Sequence, residues 1–372
     1  TLLRTSQLPV SALEYWRYIE SSQAVLMKIL GVIWIFFLGG CFASFLNVVA
    51  WRLPRGRGVN GSSMCPFCET ELLFSDNLPV YGWIRNSGKC RTCRTPISPR
   101  YLIVEIFLGF IFLLIAFFEI LTGGSNLPFQ QPSQSQGFEY LLFDPQWNLI
   151  QIAAYHLALI CLLFTISLIR SERLQIPRSV FYWGLGIGVG LPLIWPDMTL
   201  IAWNIDTDQL IEIARASSTQ FITFAYGLIA GAACGLLCSW ATLNSKRMLE
   251  DRVHQSTIEQ LNCVDDTIAA MALVGIFLGW QAALSVTLFF LFIQAVLLVS
   301  TKRNRTSAVT PSAAVFVATL LHLITWQGFT YLPVWPSPTA NAGGIAVCLV
   351  VILSASAGLR KLAAAQQNLQ IG

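Results

Sequence analysis

The chain has 372 residues, 55% of them hydrophobic and only 11% charged, with a mean hydropathy of +0.62. Soluble domains carry about 25% charged residues, so an ordinary soluble enzyme is excluded and a polytopic membrane protein is expected. The formal net charge of +4 is too small to signal a nucleic-acid partner.

The chain begins at Thr1 and not at Met, as a truncated sequence would. Its polar N-terminal segment, residues 1–24, does not read as a signal peptide. A first transmembrane helix is expected at 25–50, followed by a polar loop at 51–100 and a membrane bundle over 101–372. Within the bundle, apolar spans fall at 101–122, 148–169, 179–203, 217–243, 264–280, 282–300, 308–326 and 341–358. The predicted fold is therefore all-α, a transmembrane helical bundle of about eight or nine helices. The short 264–280 span suits a tilted, re-entrant or partly buried helix. Gly227, Gly231 and Gly235 repeat at helical spacing, as small residues do where membrane helices pack closely. Polar loops near 123–147 and 244–263 interrupt the bundle; the first is rich in Gly, Ser, Gln and Pro, and the second is charged enough for a surface helix. No internal repeat stands out.

Loop 51–100 carries Arg52, Arg55, Arg57, Arg85, Lys89, Arg91, Arg94 and Arg100 against Glu69, Glu71 and Asp76. The positive-inside rule puts such a loop in the cytoplasm. It also holds two Cys-x-x-Cys pairs, Cys65/Cys68 and Cys90/Cys93. In a reducing compartment these are thiolate ligands and not disulfides, and two pairs complete a closed tetrahedral site of the kind zinc favours. With no His in the loop and no open position, the zinc is expected to be structural, with redox use of the pairs the lesser alternative. The other six cysteines, Cys41, Cys161, Cys234, Cys238, Cys263 and Cys348, read as core packing. If spans alternate, the 170–178 turn and the 244–263 loop share the face of the cysteine loop.

The run Gly40-Cys-Phe-Ala-Ser44-Phe-Leu-Asn47-Val-Val-Ala-Trp-Arg52-Leu-Pro-Arg-Gly56 resembles the first helix and exit of type IV prepilin peptidases. The likeness continues through Cys65-Pro-x-Cys68, Asp76-Asn-x-Pro-Val80-x-x-Trp83, Gly88-Lys-Cys90-Arg-x-Cys93 and Pro96-Ile-Ser-x-Arg100-Tyr-x-x-Val-Glu105. Residues 39–109 are covered almost continuously; Ile176-Pro177, Gly275-x-Phe-Leu-Gly-Trp280 and Pro311 are weaker echoes. The resemblance implies a multi-pass aspartic endopeptidase of the cytoplasmic (inner) membrane, surrounded by lipid. Its partners would be type IV prepilins or type II secretion pseudopilins, whose leaders it removes. It also implies methylation of the new N-terminus with S-adenosylmethionine where that activity is kept, associated with the cytoplasmic N-terminal domain. No glycine-rich loop of the soluble methyl-donor kind is visible.

Aspartic proteolysis needs two carboxylates sharing a proton near one water. The family's first aspartate stands seven residues before the Pro of an I-P-D element; that position is Arg170 here, and Arg178 follows Pro177 where the family has Asp. Glu172 offers the nearby carboxylate. The second aspartate, from a G-x-G-D element, falls by count on Thr267, with Asp265 and Asp266 just before it and the glycines and following lysine absent. The catalytic candidates are therefore Asp266, Asp265 and Glu172. An active peptidase requires Glu172 to converge with one of the two aspartates. A catalytically inactive member that binds or scaffolds pilin-like proteins would instead place Arg170 or Arg178 in that space. The non-catalytic expectations are helix capping for Asp265 and Asp266 and pairing with Arg170 or Arg173 for Glu172. Glu105 is matched to a partner charge such as Arg100, or to methyl-donor or substrate contacts. Asn47, His156 and His322 are expected to pack or hydrogen-bond in the bundle, and Trp51, Trp83, Trp195, Trp203 and Trp326 to form an interfacial belt.

Overall fold

The computed structural model describes residues 10–128, 137–195, 198, 217–242, 253–300, 310–332 and 342–371. These residues are helical and carry no strand. The helices are α1 (Val10–Arg52), α2 (Tyr81–Arg85), α3 (Arg100–Ile115), α4 (Phe138–Phe143), α5 (Trp147–Ser171), α6 (Arg178–Ile194), α7 (Ser217–Thr242), α8 (Val253–Leu278), α9 (Trp280–Ser300), α10 (Pro311–Thr330) and α11 (Ala342–Ile371). A wider π-type turn, Ala116–Leu121, continues α3. Among the described residues, six helices are long and apolar enough to cross a bilayer, and two apolar pieces, Arg178–Ile194 and Asp266–Leu278, are shorter. The chain is a multi-pass membrane protein, and each expected span has its helix.

Backbone contact builds the bundle, because lipid offers helices little hydrophobic drive to associate. On α1 and α3, a Cβ at Gly39 would lie 2.8 Å from the Gly109 Cα. On α7 and α8, a Cβ at Gly227 would fall on the Gly275 carbonyl, and one at Gly231 on the Met271 carbonyl. The Gly-x-x-x-Gly-x-x-x-Gly spacing is thus the α7 contact face. Arg100 at the start of α3 reaches Leu168 at the end of α5, whereas Glu119 near the far end of α3 meets His156, so the two helices run antiparallel. Ser167 of α5 likewise bonds the Ser312 carbonyl at the start of α10. The ends of α1 and α5 and the starts of α3 and α10 therefore gather at the end of the bundle that carries residues 53–99.

Three expectations change. Helix α8 begins at Val253, so part of the charged 244–263 segment is helix; residues 244–252 lie outside the described residues. Asp265 and Asp266 are consequently inside α8 and do not cap it. The described start of the polar stretch after α3 is packed against the bundle: Asn126 and Leu127 are buried, and Asn126 donates to the Leu323 carbonyl of α10; residues 129–136 lie outside the described residues. Trp326 is 1% exposed and belongs to the core, not to an interfacial belt, because α10 is enclosed at that level by α5 and α9. Trp203 lies outside the described residues.

Replacing Gly227 with Val would push two methyl groups into the α8 backbone. It is expected to lower stability by at least the ~1–3 kcal/mol of an overpacked core, read as a depressed Tm of the detergent-purified chain.

Candidate functional site: a four-cysteine domain over a buried ion pair

The polar domain is built from two copies of a six-residue unit, Cys65-Pro-Phe-Cys68-Glu-Thr70 and Cys90-Arg-Thr-Cys93-Arg-Thr95. In the first, Cys65 N–H donates to Thr70 O (3.0 Å) and Glu69 N–H to Cys65 O (2.9 Å); in the second, Cys90 N–H donates to Thr95 O (2.8 Å) and Arg94 N–H to Cys90 O (3.0 Å). Glu69 and Arg94 occupy the same left-handed position, φ 55° and 60°. One-pair bridges, Met64 with Glu71 and Lys89 with Pro96, flank the units. The expectation of no repeat holds at the scale of helical arrays and fails at this one. The shared Cys-x-x-Cys-x-Thr pattern was the available signal.

The two units face each other. The four Sγ atoms lie within 4.8 Å of one another, with Cys65 to Cys93 at 3.8 Å and Cys68 to Cys90 at 3.9 Å. A tetrahedral ion with metal–sulfur bonds of about 2.3 Å has sulfur–sulfur edges of about 3.8 Å, so the cage can hold a metal ion. A disulfide would need about 2.05 Å. Hydrogen bonding with the Thr95 side chain and backbone brings the Cys93 thiol down to about 6, and hydrogen bonding with Thr70 lowers Cys68. Both threonines thus favour the thiolate that a metal needs. Asp76 ties the domain internally. Burial opposes its ionisation, but hydrogen bonds from Asn86 Nδ2 (3.0 Å) and Leu73 N–H (3.2 Å), with Arg91 at 3.3 Å, hold its carboxyl below the usual range.

Two carboxylates fasten this domain to the bundle. Glu105, buried on α3, accepts from Val80 N–H at 2.7 Å. Val80 has φ 63° and ψ −52°, a strained conformation for a β-branched residue, and Pro79 beside it packs on Gly40 of α1. Glu105 therefore holds backbone and does not pair with Arg100. Glu172, just past α5, pairs with Arg100 and with Arg55 (3.4 Å). Arg100 also donates to Leu168 O (3.3 Å) and Ser171 Oγ (3.2 Å). Arg55 stacks on Trp51, its guanidinium carbon 5.0 Å from the ring centre. Neither Arg170 nor Arg173 is Glu172's partner.

Beneath that junction, Arg170 Nε of α5 lies 3.2 Å from Asp266 Oδ2 of α8, and both side chains are buried. The Arg170 guanidinium also donates to Leu174 O (3.3 Å). Thr267, where the count placed the second aspartate, is buried beside Asp266. Arg178 is exposed at the start of α6. Asp265 lies in α8, and its side chain is outside the described residues. The structure thus brings Asp266 to Arg170 and leaves Glu172 on Arg55 and Arg100; no bond joins Glu172 to Asp266 among the described residues. Glu172 and Asp266 do not converge, because two arginines of the polar domain claim Glu172; the alternative convergence of Glu172 with Asp265 falls on a side chain outside the described residues.

A second buried pair was not anticipated. Glu119 carries both oxygens 2.8 and 2.9 Å from His156 Nδ1. Glu119 was itself the available signal, as an acid in the apolar run that ends at Leu121.

Residues 37–118 match the family described as "Bacterial Peptidase A24 N-terminal domain". A Klebsiella pneumoniae protein named "Prepilin leader peptidase/N-methyltransferase" is 27% identical over 255 residues, which is 67% of this chain and 85% of that protein. A Myxococcus xanthus protein of the same name is 29% identical over 69% of this chain and 59% of its own length. An Escherichia coli "Type 4 prepilin-like proteins leader peptide-processing enzyme" is 35% identical, but over 20% of this chain and 35% of its own. No solved structure matches.

Elemental analysis of the purified chain is expected to find about one tetrahedral metal ion per chain. Cys65→Ser or Cys90→Ser should remove most of it and loosen the polar domain to protease while the membrane helices stay folded.

Proposed function

We propose, for a chain that belongs to the type IV prepilin peptidase family, that it processes the leader peptides of type IV prepilins or type II secretion pseudopilins. The work is done at the cytoplasmic face of the inner membrane, towards which the excess of Arg and Lys in 51–100 directs the polar domain. The observation that carries the proposal is Asp266, a buried carboxylate on α8 against α5, directly below a domain of the matched family. Zinc is the ion best suited to four thiolates at this spacing. With no open position it would fix the domain's fold and take no part in bond breaking.

The chemistry is that of an aspartic-type endopeptidase with one acid exchanged. Hydrolysis needs a base for water, a donor for the developing oxyanion and a proton for the leaving amine. Asp266 would take the proton from water and return it to the leaving nitrogen. Arg170 stays protonated and cannot exchange protons, but its guanidinium can stabilise the oxyanion where a second carboxyl would have polarised the carbonyl. Asp265, one position earlier on α8, is the reserve acid. Glu172 acts through Arg55 and Arg100, holding the polar domain over the pair. Methylation of the new N-terminus belongs to the names of two of the relatives. S-adenosylmethionine would supply the methyl group, and no residue is assigned to it.

The alternative reading is a pseudoenzyme that binds and organises pilin-like proteins without cutting them. A detergent-purified, metal-loaded chain mixed with a prepilin-like protein separates the two, by mass spectrometry of the product N-terminus with and without S-adenosylmethionine. Cleavage is expected, with a methyl group added where the donor is used. Intact substrate that co-purifies with the folded chain would replace the peptidase by the scaffold.

A further inference from the structure

A continuous line of polar side chains crosses the bundle far from the Arg170–Asp266 pair. His156 and Arg170 are 14 residues apart on α5, about 21 Å along the helix. Glu119, 0% exposed, sits on the π-type turn after α3 and binds His156, 1% exposed, on α5. The His156 ring lies 5.6 Å from the Trp326 ring of α10, and Trp326 lies 4.7 Å from His322, one turn earlier. His322 Nδ1 is 2.8 Å from Ser285 Oγ of α9. Gln281, 0% exposed, stands one turn before Ser285. Ring contacts and hydrogen bonds link five of these side chains across four helical segments, with Gln281 one turn further along α9, and the proposed reaction uses none of the six.

Several polar atoms in this line have no hydrogen-bond partner among the described residues: His322 Nε2, Trp326 Nε1, and both Gln281 Nε2 and Oε1. Left dry, each such atom forfeits its hydration with nothing in return, and lipid cannot satisfy it. Hydrocarbon side chains of similar size would avoid that cost, yet three neighbouring residues keep polar atoms. The ligand small enough to reach buried donors and acceptors from two helices is water. An ionisable group fully inside a membrane bundle marks a site rather than a packing position, and π-type turns recur where helices carry such sites.

We propose that Gln281, His322 and Trp326 hold internal water next to the Glu119–His156 pair, as a second polar centre in the half of the bundle away from the four-cysteine domain. The water supplies the missing partners, and Trp326, between two imidazoles, lies between the hydrated end and the Glu119–His156 pair. The site takes water; it is closed to larger ligands by the complete burial of its walls.

X-ray radiolysis of the full chain in lipid nanodiscs tests this, because water bound at a side chain is turned into hydroxyl radical in place. Trp326 is expected to be oxidised within about threefold of exposed Trp183, although it is buried, whereas Phe290, equally buried in apolar surroundings, stays unmodified. Gln281→Leu should cut Trp326 oxidation by about fivefold or more by removing two of the water's partners. Trp326 as inert as Phe290 in the unaltered chain would overturn the proposal without recourse to any variant. Oxidation unchanged by Gln281→Leu would overturn it too.

Discussion

A charge enclosed in a lipid-embedded bundle persists only when another group balances it, and the pairing of Arg170 with Asp266 is the constraint on which the proposed chemistry depends. The pair joins α5 to α8 at the end of the bundle where the polar domain sits. It gives Asp266 a permanent cation as its neighbour, where a carboxyl dyad would give it a shared proton. The consequence is a site of one acid and one fixed positive charge, suited to a base and an oxyanion donor rather than to two interchangeable acids.

The polar domain is held over that site by contacts that membrane burial makes strict. Glu105 reaches out of α3 to a strained Val80 backbone, and Glu172 gathers Arg100 and Arg55 from either side of the domain. The four-cysteine cage, which could hold one metal ion, stands where about 50 residues, rich in charge, could not build a hydrophobic core. The same logic of paired burial recurs at Glu119 and His156, so the bundle carries two polar centres joined by the apolar length of α5.

Much of this was legible in the chain. Periodicity and run length located the helices, and glycine spacing identified the α7 face, because both are local consequences of a lipid solvent. The cysteine spacing foretold the cage, since ligand geometry is set within each six-residue unit. Partner choice was not legible. Glu172 lies next to Arg173 in sequence yet pairs with Arg55 and Arg100, 117 and 72 residues away, because the domain's return into α3 brings them together. His156 and His322 read as lone residues because their partners lie on other helices, each 37 positions away. Asp266 read as a helix cap because apolarity, the signal used, begins there, while the helix itself begins 13 residues earlier.

The most direct measurement is the rate of leader cleavage by Asp266→Asn beside Glu172→Gln, both checked for native fold and metal content. The account predicts that removing the base at Asp266 lowers the rate by about 10²-fold or more, while Glu172→Gln, which keeps hydrogen-bonding capacity towards Arg100, stays within about threefold. Cleavage that survives in Asp266→Asn and disappears in Glu172→Gln would contradict it and move the chemistry to the acid that the structure gives to Arg55 and Arg100.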